Sequence, residues 1–407
     1  MARFIYRETQ LIEVTVTLAT ILILWTTVLL IFFGPLAARW HEPVLRHPVL
    51  IIESDDWGAG PLAQAEVLLH LSTLLKQVRD CSNRSAVMTL GIVLEVPDGL
   101  RIVATGNTLY HALPLTDTRY DAVRFAIKNG IEAGVFVPQL HGQCHYWPPA
   151  LLAAAVTDDK VRNWLTAPEL AVSEDLPSHL QSRWVDASNL PSRALESDTI
   201  SIAVANEVTT YQAIFGNAPQ VAVATTFIWT NAVEAAWAQS GIDIIITPGR
   251  RYTCRNAEGK PDGVDATMLA GERSPVGQTY LVRDVYFEPT QGHIPQRLVD
   301  GLIEHSRLGR ACLVETHRFN FLQAPDVSLA ALESGLKAAL AACPKLRFLS
   351  PLELARALQT HDPEWVETRR LRRLAVWCVR VKEIPRFRRV AQLCGLALPL
   401  ILLEHIL

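Results

Sequence analysis

The sequence predicts an α/β protein whose main domain is a parallel β/α barrel, complete or incomplete. Eight short runs rich in β-branched and apolar residues recur along the chain, and helical patterns separate most of them. The 407 residues, 49% hydrophobic and 19% charged, are enough for a large buried core and too apolar for a disordered chain. An open doubly wound sheet is the alternative architecture. No glycine-rich phosphate loop follows any run, so no nucleotide cofactor is indicated.

The predicted strands follow one another between residues 47 and 360. They are residues 49–52, 88–96, 134–139, 220–227, 243–247, 279–286, 311–315 and 346–349. Helical patterns over residues 120–129, 202–215, 231–240 and 296–305 lie between them. The stretches 147–197 and 250–276 lack a sustained pattern and are predicted to be long loops or insertions.

Both ends of the chain are predicted to associate with a membrane. Residues 14–33 carry no charge and, as a helix, match a hydrocarbon core of about 30 Å, which predicts a retained transmembrane anchor, with a cleaved signal peptide as the alternative. Residues 390–403 are apolar but short and contain Pro399, which suits an interfacial or re-entrant segment or a packed helix. Residues 369–389 hold nine basic side chains against Glu383 alone, which predicts a basic amphipathic surface on anionic lipid, with a solvated face as the alternative.

These observations divide the chain into an anchor (1–40), a barrel (47–360) and a membrane-associated segment (361–407). The formal net charge of −3 excludes a general nucleic-acid binder. The seven cysteines form no CxxC pair and indicate neither a disulfide framework nor a cysteine zinc site. Arg3 and Arg7 precede the span while Arg39 and Arg46 follow it, so the positive-inside rule assigns no side. The basic C-terminal segment and the unpaired cysteines favour a cytoplasmic barrel.

Three polar clusters follow predicted strands. Asp55 and Asp56 come after residues 49–52, and adjacent carboxylates at a strand end favour a cation or a shared proton, with a turn or helix cap as the alternative. His141 and His145 are spaced to share one face of a helical turn and to bind one cation. His317 ends a late strand and titrates near neutral pH, as a general acid does, although a loop histidine bonded to backbone is the ordinary interpretation of this cluster alone.

In this order on a β/α pattern, Asp55-Asp56, His141-x-x-x-His145 and His317 resemble the motifs of the polysaccharide deacetylase superfamily, carbohydrate esterase family four in the broad sense. The resemblance spans about residues 49–358. It implies that Asp56, His141 and His145 bind a divalent metal, with zinc expected, that Asp55 is the general base and that His317 protonates the departing amine. The implied reaction is metal-assisted hydrolysis of an N-acyl group, which gives a free amine and a carboxylate.

The chain departs from the family pattern in three places. Trp57 stands before Gly58 in the first motif, and Gly142 stands where the family usually has Ser or Thr. Residues 225–231 lack the arginine with which the family's third motif orients the base. We expect Arg318 to replace it, with Arg250 and Arg251 as alternatives.

The sequence therefore predicts a membrane-attached, metal-dependent deacetylase of an N-acylated sugar or polysaccharide, lipid-linked or nascent. Trp57 and Trp229 are expected to stack on a sugar ring, although either alone is more often a core tryptophan. The same two-His-one-carboxylate set also suits Fe(II) oxygen chemistry, and the Asp55–Asp56 pair suggests glycoside hydrolysis weakly. A non-catalytic membrane scaffold is the alternative from another class, because the third-motif arginine is missing.

Overall fold

The computed structural model of the chain describes residues 2–406 apart from 168, 169 and 171, and its described side chains exclude those of residues 2–9, 11 and 405. Arg3 and Arg7 therefore lie outside the described side chains. The described chain forms two compact units, one of residues 47–306 and 311–362 and the other of residues 1–46, 307–310 and 363–407.

The larger unit is built on a parallel sheet. Its strands are β1 Val49–Gly58, β2 Met88–Val93, β3 Phe136–Leu140, β4 Val221–Val223, β5 Ile244–Thr247, β6 Thr279–Val282, β7 Val285–Tyr286, β8 Cys312–His317 and β9 Arg347–Phe348. The spatial order is β6-β5-β4-β3-β2-β1-β8-β7, and β9 pairs with the start of β1. All of these pairings are parallel. The predicted α/β class and the incomplete parallel barrel are confirmed.

The two edge strands of this sheet, β6 and β7, follow each other directly in the sequence. The run predicted as one strand over residues 279–286 is in fact β6 and β7, which lie at opposite edges of the sheet. Only Arg283 and Asp284 separate them. The two edge strands do not pair with each other, so the barrel has a gap that these two residues of backbone cross. The Arg283 backbone N–H donates to the Thr247 carbonyl at 2.8 Å.

Helices cover the sheet and form most of the smaller unit. They are α1 Ala2–Ile31, α2 Phe33–His41, α3 Gln64–Gln77, α4 Gly99–Ala104, α5 Asp121–Glu132, α6 Pro148–Thr157, α7 Asp159–Leu165, α8 Ser197–Phe215, α9 Asn231–Gln239, α10 Gln296–Arg307, α11 Arg318–Gln323, α12 Pro325–Ala342, α13 Pro351–Gln359, α14 Arg370–Arg380, α15 Pro385–Leu393 and α16 Ala397–Ile406. Residues 147–197 and 250–276 are not plain loops, because the first contains α6 and α7 and both contain short two-stranded ladders, Val185–Asp186 with Arg193–Ala194 and Arg250–Arg251 with Ala266–Thr267.

The core of the larger unit lies between the sheet and its helices. Every residue of β1 is buried, as expected for a parallel strand covered on both faces. Helix α5 turns its apolar positions inward, and a Cβ at Gly130 would lie 1.9 Å from the Phe136 ring, so only glycine permits this close approach of α5 to β3. Fully burying one Leu or Ile side chain contributes about 1.5–3 kcal/mol, which makes this core the main source of stability.

In the smaller unit, residues Ile12–Ile31 of α1 form a helix long and apolar enough to cross a membrane, with a mean hydropathy of 2.4. The predicted span over 14–33 ends slightly late, because Phe33 begins α2. Length and composition fit both a membrane anchor and a signal sequence. Residues 390–403 form the end of α15 and most of α16.

Candidate metal centre and active-site cavity

The polar clusters at the carboxyl ends of β1, β3 and β8 meet in one cavity of about 210 Å³. This is the carboxyl end of a parallel barrel, where β/α loops build active sites. The cavity is lined by Asp55, Asp56, His141, His145, Glu174, Gln181, Ala224, Thr226, Phe227, Arg283, Glu315, His317 and Phe319. The structure therefore brings together all five Asp and His residues that the sequence singles out.

Asp56, His141 and His145 form a compact triad. Asp56 Oδ1 lies 3.4 Å from His141 Nε2 and 3.3 Å from His145 Nε2. His141 Nδ1 lies 3.1 Å from the Val223 carbonyl, which can only accept, so Nδ1 carries the proton and Nε2 faces Asp56. Asp56 Oδ1 is buried and accepts no hydrogen bond. Buried acceptor atoms that converge without a donor fit a divalent cation.

The charges of the triad agree with this interpretation. Burial lowers the pKa of His145 to about 4, so its ring is neutral at physiological pH and its nitrogens are free to coordinate. Burial alone would raise the pKa of Asp56, but His145 and His141 outweigh it, and the pKa falls below its ordinary value. The pKa of His141 is raised because Asp55 and Asp56 outweigh its burial. A divalent metal at this position would compete with a proton for the His141 ring.

A break in strand regularity lets two successive acids reach one cavity. In a regular strand Asp55 and Asp56 would point to opposite faces. Asp56 instead has φ +72°, and the β1–β2 register shifts between Ser54 and Trp57, as in a β-bulge. Trp57 Nε1 donates to Ser54 Oγ across this bulge at 2.8 Å.

A loop, rather than the predicted helical turn, pairs His141 with His145. Gly142 has φ +105°, a conformation that glycine adopts readily, and the two imidazole rings lie 5.1 Å apart. The loop is held from behind because the Gln143 backbone N–H donates to Glu207 Oε2 at 3.1 Å. Gln143 Nε2 also donates to Glu95 Oε2 at 2.5 Å.

Asp55 is held as a carboxylate by Arg283. Arg283 Nη2 donates to Asp55 Oδ2 at 2.7 Å. Burial alone would raise the pKa of Asp55, but the Arg283 guanidinium outweighs it and the pKa lies below its ordinary value. Asp55 Oδ1 accepts no hydrogen bond, and a Cβ at position 91 would lie 2.3 Å from it, so Gly91 leaves this oxygen room.

Arg283 itself is buried among three acids. Besides Asp55 it lies 3.1 Å from Glu315 Oε2 and 3.5 Å from Glu53 Oε2. Burial raises the pKa of Glu53 to about 7 even though Arg283 opposes the shift. Arg283 therefore supplies one positive charge to three acids, and burial raises the pKa values of both Glu53 and Glu315 despite it.

His317 is a second cationic group of the cavity, beside Arg283. Its Nδ1 lies 2.6 Å from Glu288 Oε1. Burial alone would lower the pKa of His317, but the hydrogen bond to Glu288 outweighs it and raises the pKa to about 10. Ligand-type atoms of Asp55, Glu315 and His317 also lie within 4.8 Å of one another. Arg283 already contacts both acids of this second group, so it supplies positive charge there without a metal.

The expected replacement for the missing arginine is wrong. Arg318 is fully buried, but it pairs with Glu174 at 3.1 Å and donates to the Ala59 carbonyl, so it does not orient Asp55. Arg251 pairs with Glu234, and Arg250 is exposed outside the cavity lining. The residue that does orient Asp55 is Arg283, which directly follows β6. A fully buried arginine is unusual without an acidic partner, so an arginine next to a buried strand indicates a buried ion pair.

The predicted sugar-stacking tryptophans are also wrong. Trp57 and Trp229 have no exposed surface, and Trp229 Nε1 donates to Glu234 Oε1 at 2.9 Å, so both belong to the core. Phe227 and Phe319 line the cavity instead, and Phe319 stacks on His317 with ring centroids 5.6 Å apart. No sequence pattern indicates Glu288, the acidic partner of His317.

The fold and cavity define a β/α-barrel protein with a metal-type triad at the carboxyl end of its strands. Similar solved structures include a family 4 carbohydrate esterase from Streptomyces lividans in complex with acetate (13% identity, 75% of this chain and 94% of that chain, TM-score 0.35). A family 4 acetyl xylan esterase from Clostridium thermocellum in complex with a cobalt ion is 11% identical over 75% and 89% of the two chains, with a TM-score of 0.36. A family 4 carbohydrate esterase pseudoenzyme from Bacillus anthracis is 10% identical over 76% and 66%, also with a TM-score of 0.36.

No protein-family model and no curated protein matches the sequence. The structural likenesses are distant, so the function of this chain has to be inferred from its own side chains.

Proposed function

We propose that the protein is a metal-dependent hydrolase that removes an N-acyl group, with acetyl expected, from an amino sugar of a carbohydrate. The observation that carries the proposal is the content of one cavity. It holds a metal-type triad, a carboxylate with an unoccupied acceptor oxygen and an imidazolium. These are the parts that hydrolysis of an unactivated amide needs.

Asp56, His141 and His145 would hold the divalent metal, with zinc expected from the mixed imidazole and carboxylate donors. When bound, the metal polarises the acyl oxygen and lowers the pKa of a coordinated water. Asp55 Oδ1 accepts the proton that the attacking water loses, while Arg283 holds the other carboxylate oxygen. His317 donates its Nε2 proton to the nitrogen of the departing amine, so the products are a carboxylate and a free amine.

The charge on His317 favours an amide over an ester. An amine departs only after its nitrogen gains a proton, whereas an alkoxide leaves more readily. A histidine whose pKa is raised to about 10 holds that proton across the physiological pH range. Phe319, stacked on His317 at the cavity wall, offers an apolar face to a sugar ring.

Two of the alternatives lose support, glycoside hydrolysis by the Asp55–Asp56 pair and the non-catalytic scaffold. The Asp55–Asp56 pair does not suit glycoside hydrolysis, which needs one carboxyl group with a raised pKa as its acid, because the pKa values of Asp55 and Asp56 are both lowered. The scaffold hypothesis depended on a missing base-orienting arginine, and Arg283 contacts Asp55 directly. Fe(II) chemistry with the same triad is left for metal analysis to decide.

We further propose that α1 is a retained anchor and that residues 1–40, 47–360 and 361–407 act as anchor, catalytic barrel and membrane-associated segment. Trp25 Nε1 of α1 donates to the Cys394 carbonyl at 2.9 Å, a contact that a cleaved signal peptide would not keep. An anchored enzyme suits a lipid-linked or nascent polysaccharide. The basic residues near the C-terminus favour a barrel on the cytoplasmic side.

The test is metal analysis and acetate release by the full chain in mild detergent, beside Asp56→Asn and His145→Gln. We expect about one equivalent of metal in the wild type and little in either variant. Acetate should be released from oligomers of N-acetylated amino sugars faster than from O-acetylated xylan. A wild type that binds no metal after incubation with zinc, cobalt or iron would sink the mechanism.

A matched control keeps the result interpretable. Cys144 lies between the two histidines but bonds the Tyr146 carbonyl and packs in the core, so Cys144→Ser should keep its metal. Loss of metal from Cys144→Ser as well would mean that any change in this loop abolishes binding, and the ligand assignment would then lack support.

A further inference from the structure

The end of α1 is part of the folded smaller unit. Val28 of α1 and Leu36 of α2 pack in one cluster with Phe387, Ala391 and Leu396. Phe32 meets Phe387 edge to face, with ring centroids 5.5 Å apart. The earlier part of α1 has no such cover, since Ile12 and Ile23 are 63% and 67% exposed. Helix α1 thus has an uncovered apolar part that suits hydrocarbon, and near its end one face, which carries Val28, is packed.

The packed end of α1 borders an apolar groove of about 500 Å³. One wall is formed by Leu29, Phe33 and Ala37, and the other by Leu374 and Trp377 of α14. The groove begins beside the membrane-spanning stretch and runs along α2 to Trp40 and His41. At about 1.5 Å per helical residue, Leu29 to His41 covers roughly 18 Å.

The far end of the groove is basic. The Arg373 guanidinium lies 5.0 Å from the Trp40 ring centroid and donates to the Trp40 carbonyl at 2.8 Å. Arg370, which is exposed, precedes Leu374 by four residues and Trp377 by seven, so these three share one face of α14. Residues 369–389 as a whole hold nine basic side chains and one acid, Glu383, which pairs with Arg310.

We propose that this groove binds one acyl chain of an anionic membrane phospholipid, whose phosphate meets Arg370 and Arg373 at the far end. The groove starts beside the membrane-spanning stretch of α1 and ends at arginines. It is therefore apolar at one end and positively charged at the other, which matches the apolar tail and the anionic headgroup of one phospholipid. Aromatic side chains at the end of the groove suit the headgroup level of a bilayer. The proposal rests on the retained anchor proposed above, but on neither the metal nor the hydrolysis.

The test measures the lipid preference of the full chain in phosphatidylcholine vesicles. A trace of phosphatidylglycerol or phosphatidylcholine with a nitroxide on its acyl chain reports, by electron paramagnetic resonance, the share of lipid immobilised by the protein. We expect the wild type to immobilise phosphatidylglycerol preferentially. Arg370→Gln should lower this preference about fivefold, the factor that corresponds to about 1 kcal/mol for one basic side chain near an anionic surface.

Arg372→Gln is the matched control, because Arg372 is also exposed but lies two residues along the helix, away from the face of Arg370. It should leave the preference within a factor of two. Ala37→Trp fills the groove and should abolish the preference, whereas Leu371→Trp, at an exposed position outside the groove lining, should not.

The outcomes separate the hypotheses. Equal losses in Arg370→Gln and Arg372→Gln would indicate a general basic surface and overturn the site. An unchanged lipid preference in folded Ala37→Trp would also overturn the proposed lipid site. If Ala37→Trp fails to fold, the comparison of Arg370→Gln with Arg372→Gln still tests the site. A chain that does not insert into vesicles refutes the anchor, while an inserted chain without a preference refutes the groove alone.

Discussion

Replacing Arg283 tests how the base is held. Arg283→Met removes the guanidinium 2.7 Å from Asp55, 3.1 Å from Glu315 and 3.5 Å from Glu53, all of them buried. Removing one partner of a buried ion pair costs about 3–5 kcal/mol. We expect a loss of this size in the free energy of unfolding at neutral pH, limited by the ability of the acids to take up protons.

The pH dependence has a definite sign. The pKa of Asp55 is lowered in the folded protein, so Asp55 contributes stability above the unfolded pKa of about 3.9, and this contribution is lost as pH falls through the folded pKa. Without Arg283 the contribution disappears. The stability difference between wild type and variant should therefore be largest near neutral pH and should shrink below about pH 4.

The assay is denaturant unfolding of the full chain in mild detergent at several pH values, together with the pH profile of kcat/KM. The pKa of Asp55 should rise in Arg283→Met, so the acid limb of the profile should move to higher pH. Arg318→Met is the matched control, since Arg318 is equally buried but pairs with Glu174. If both variants show the same stability profile and the same acid limb, Arg283 does not hold the base.

Three further changes have defined outcomes. Glu288→Gln should return the pKa of His317 from about 10 towards its ordinary value. The alkaline limb of the kcat/KM profile should then move to lower pH, because His317 loses its proton at lower pH. An unmoved limb would contradict the role of His317 as the general acid. Glu207→Gln should weaken cobalt binding about tenfold in a spectroscopic titration, whereas Glu234→Gln, another buried acid bonded to an indole, should not. Phe319→Ala should raise KM for sugar oligomers more than it lowers kcat, and an unchanged KM would remove Phe319 from the binding wall.

The periodicity of the sequence was sufficient to predict the barrel. Each predicted β run overlaps at least one strand, because parallel strands buried on both faces are largely continuous apolar segments. The Asp and His clusters were predicted correctly to meet because the carboxyl ends of parallel strands share one edge of a sheet. Tertiary contacts decided the rest. No local pattern distinguishes Trp57 or Trp229 as core residues from tryptophans in a binding site.

Arg283 was missed for a physical reason. Residues 279–286 are predicted from the sequence as one strand, but the barrel closes within it, so the strand direction breaks at Arg283 and Asp284. A side chain at that break reaches the acids of β1 and β8, which are more than 200 and about 30 residues away in sequence. A pairing over such separations depends on the complete fold and leaves no signal in a local pattern.

The bulge at Asp56 follows from the energies of the alternatives. With regular alternation, Asp55 would face the barrel interior and Asp56 the layer of helices, where an unpaired buried carboxylate costs several kcal/mol. A left-handed conformation costs a non-glycine residue roughly 1–2 kcal/mol, and aspartate tolerates it better than most. The bulge therefore costs less than a regular strand and places both acids in one cavity. The motif Asp-Asp-Trp-Gly at the end of a buried strand is thus a signal for distorted backbone, because two adjacent acids in such a strand are stable only where the alternation fails.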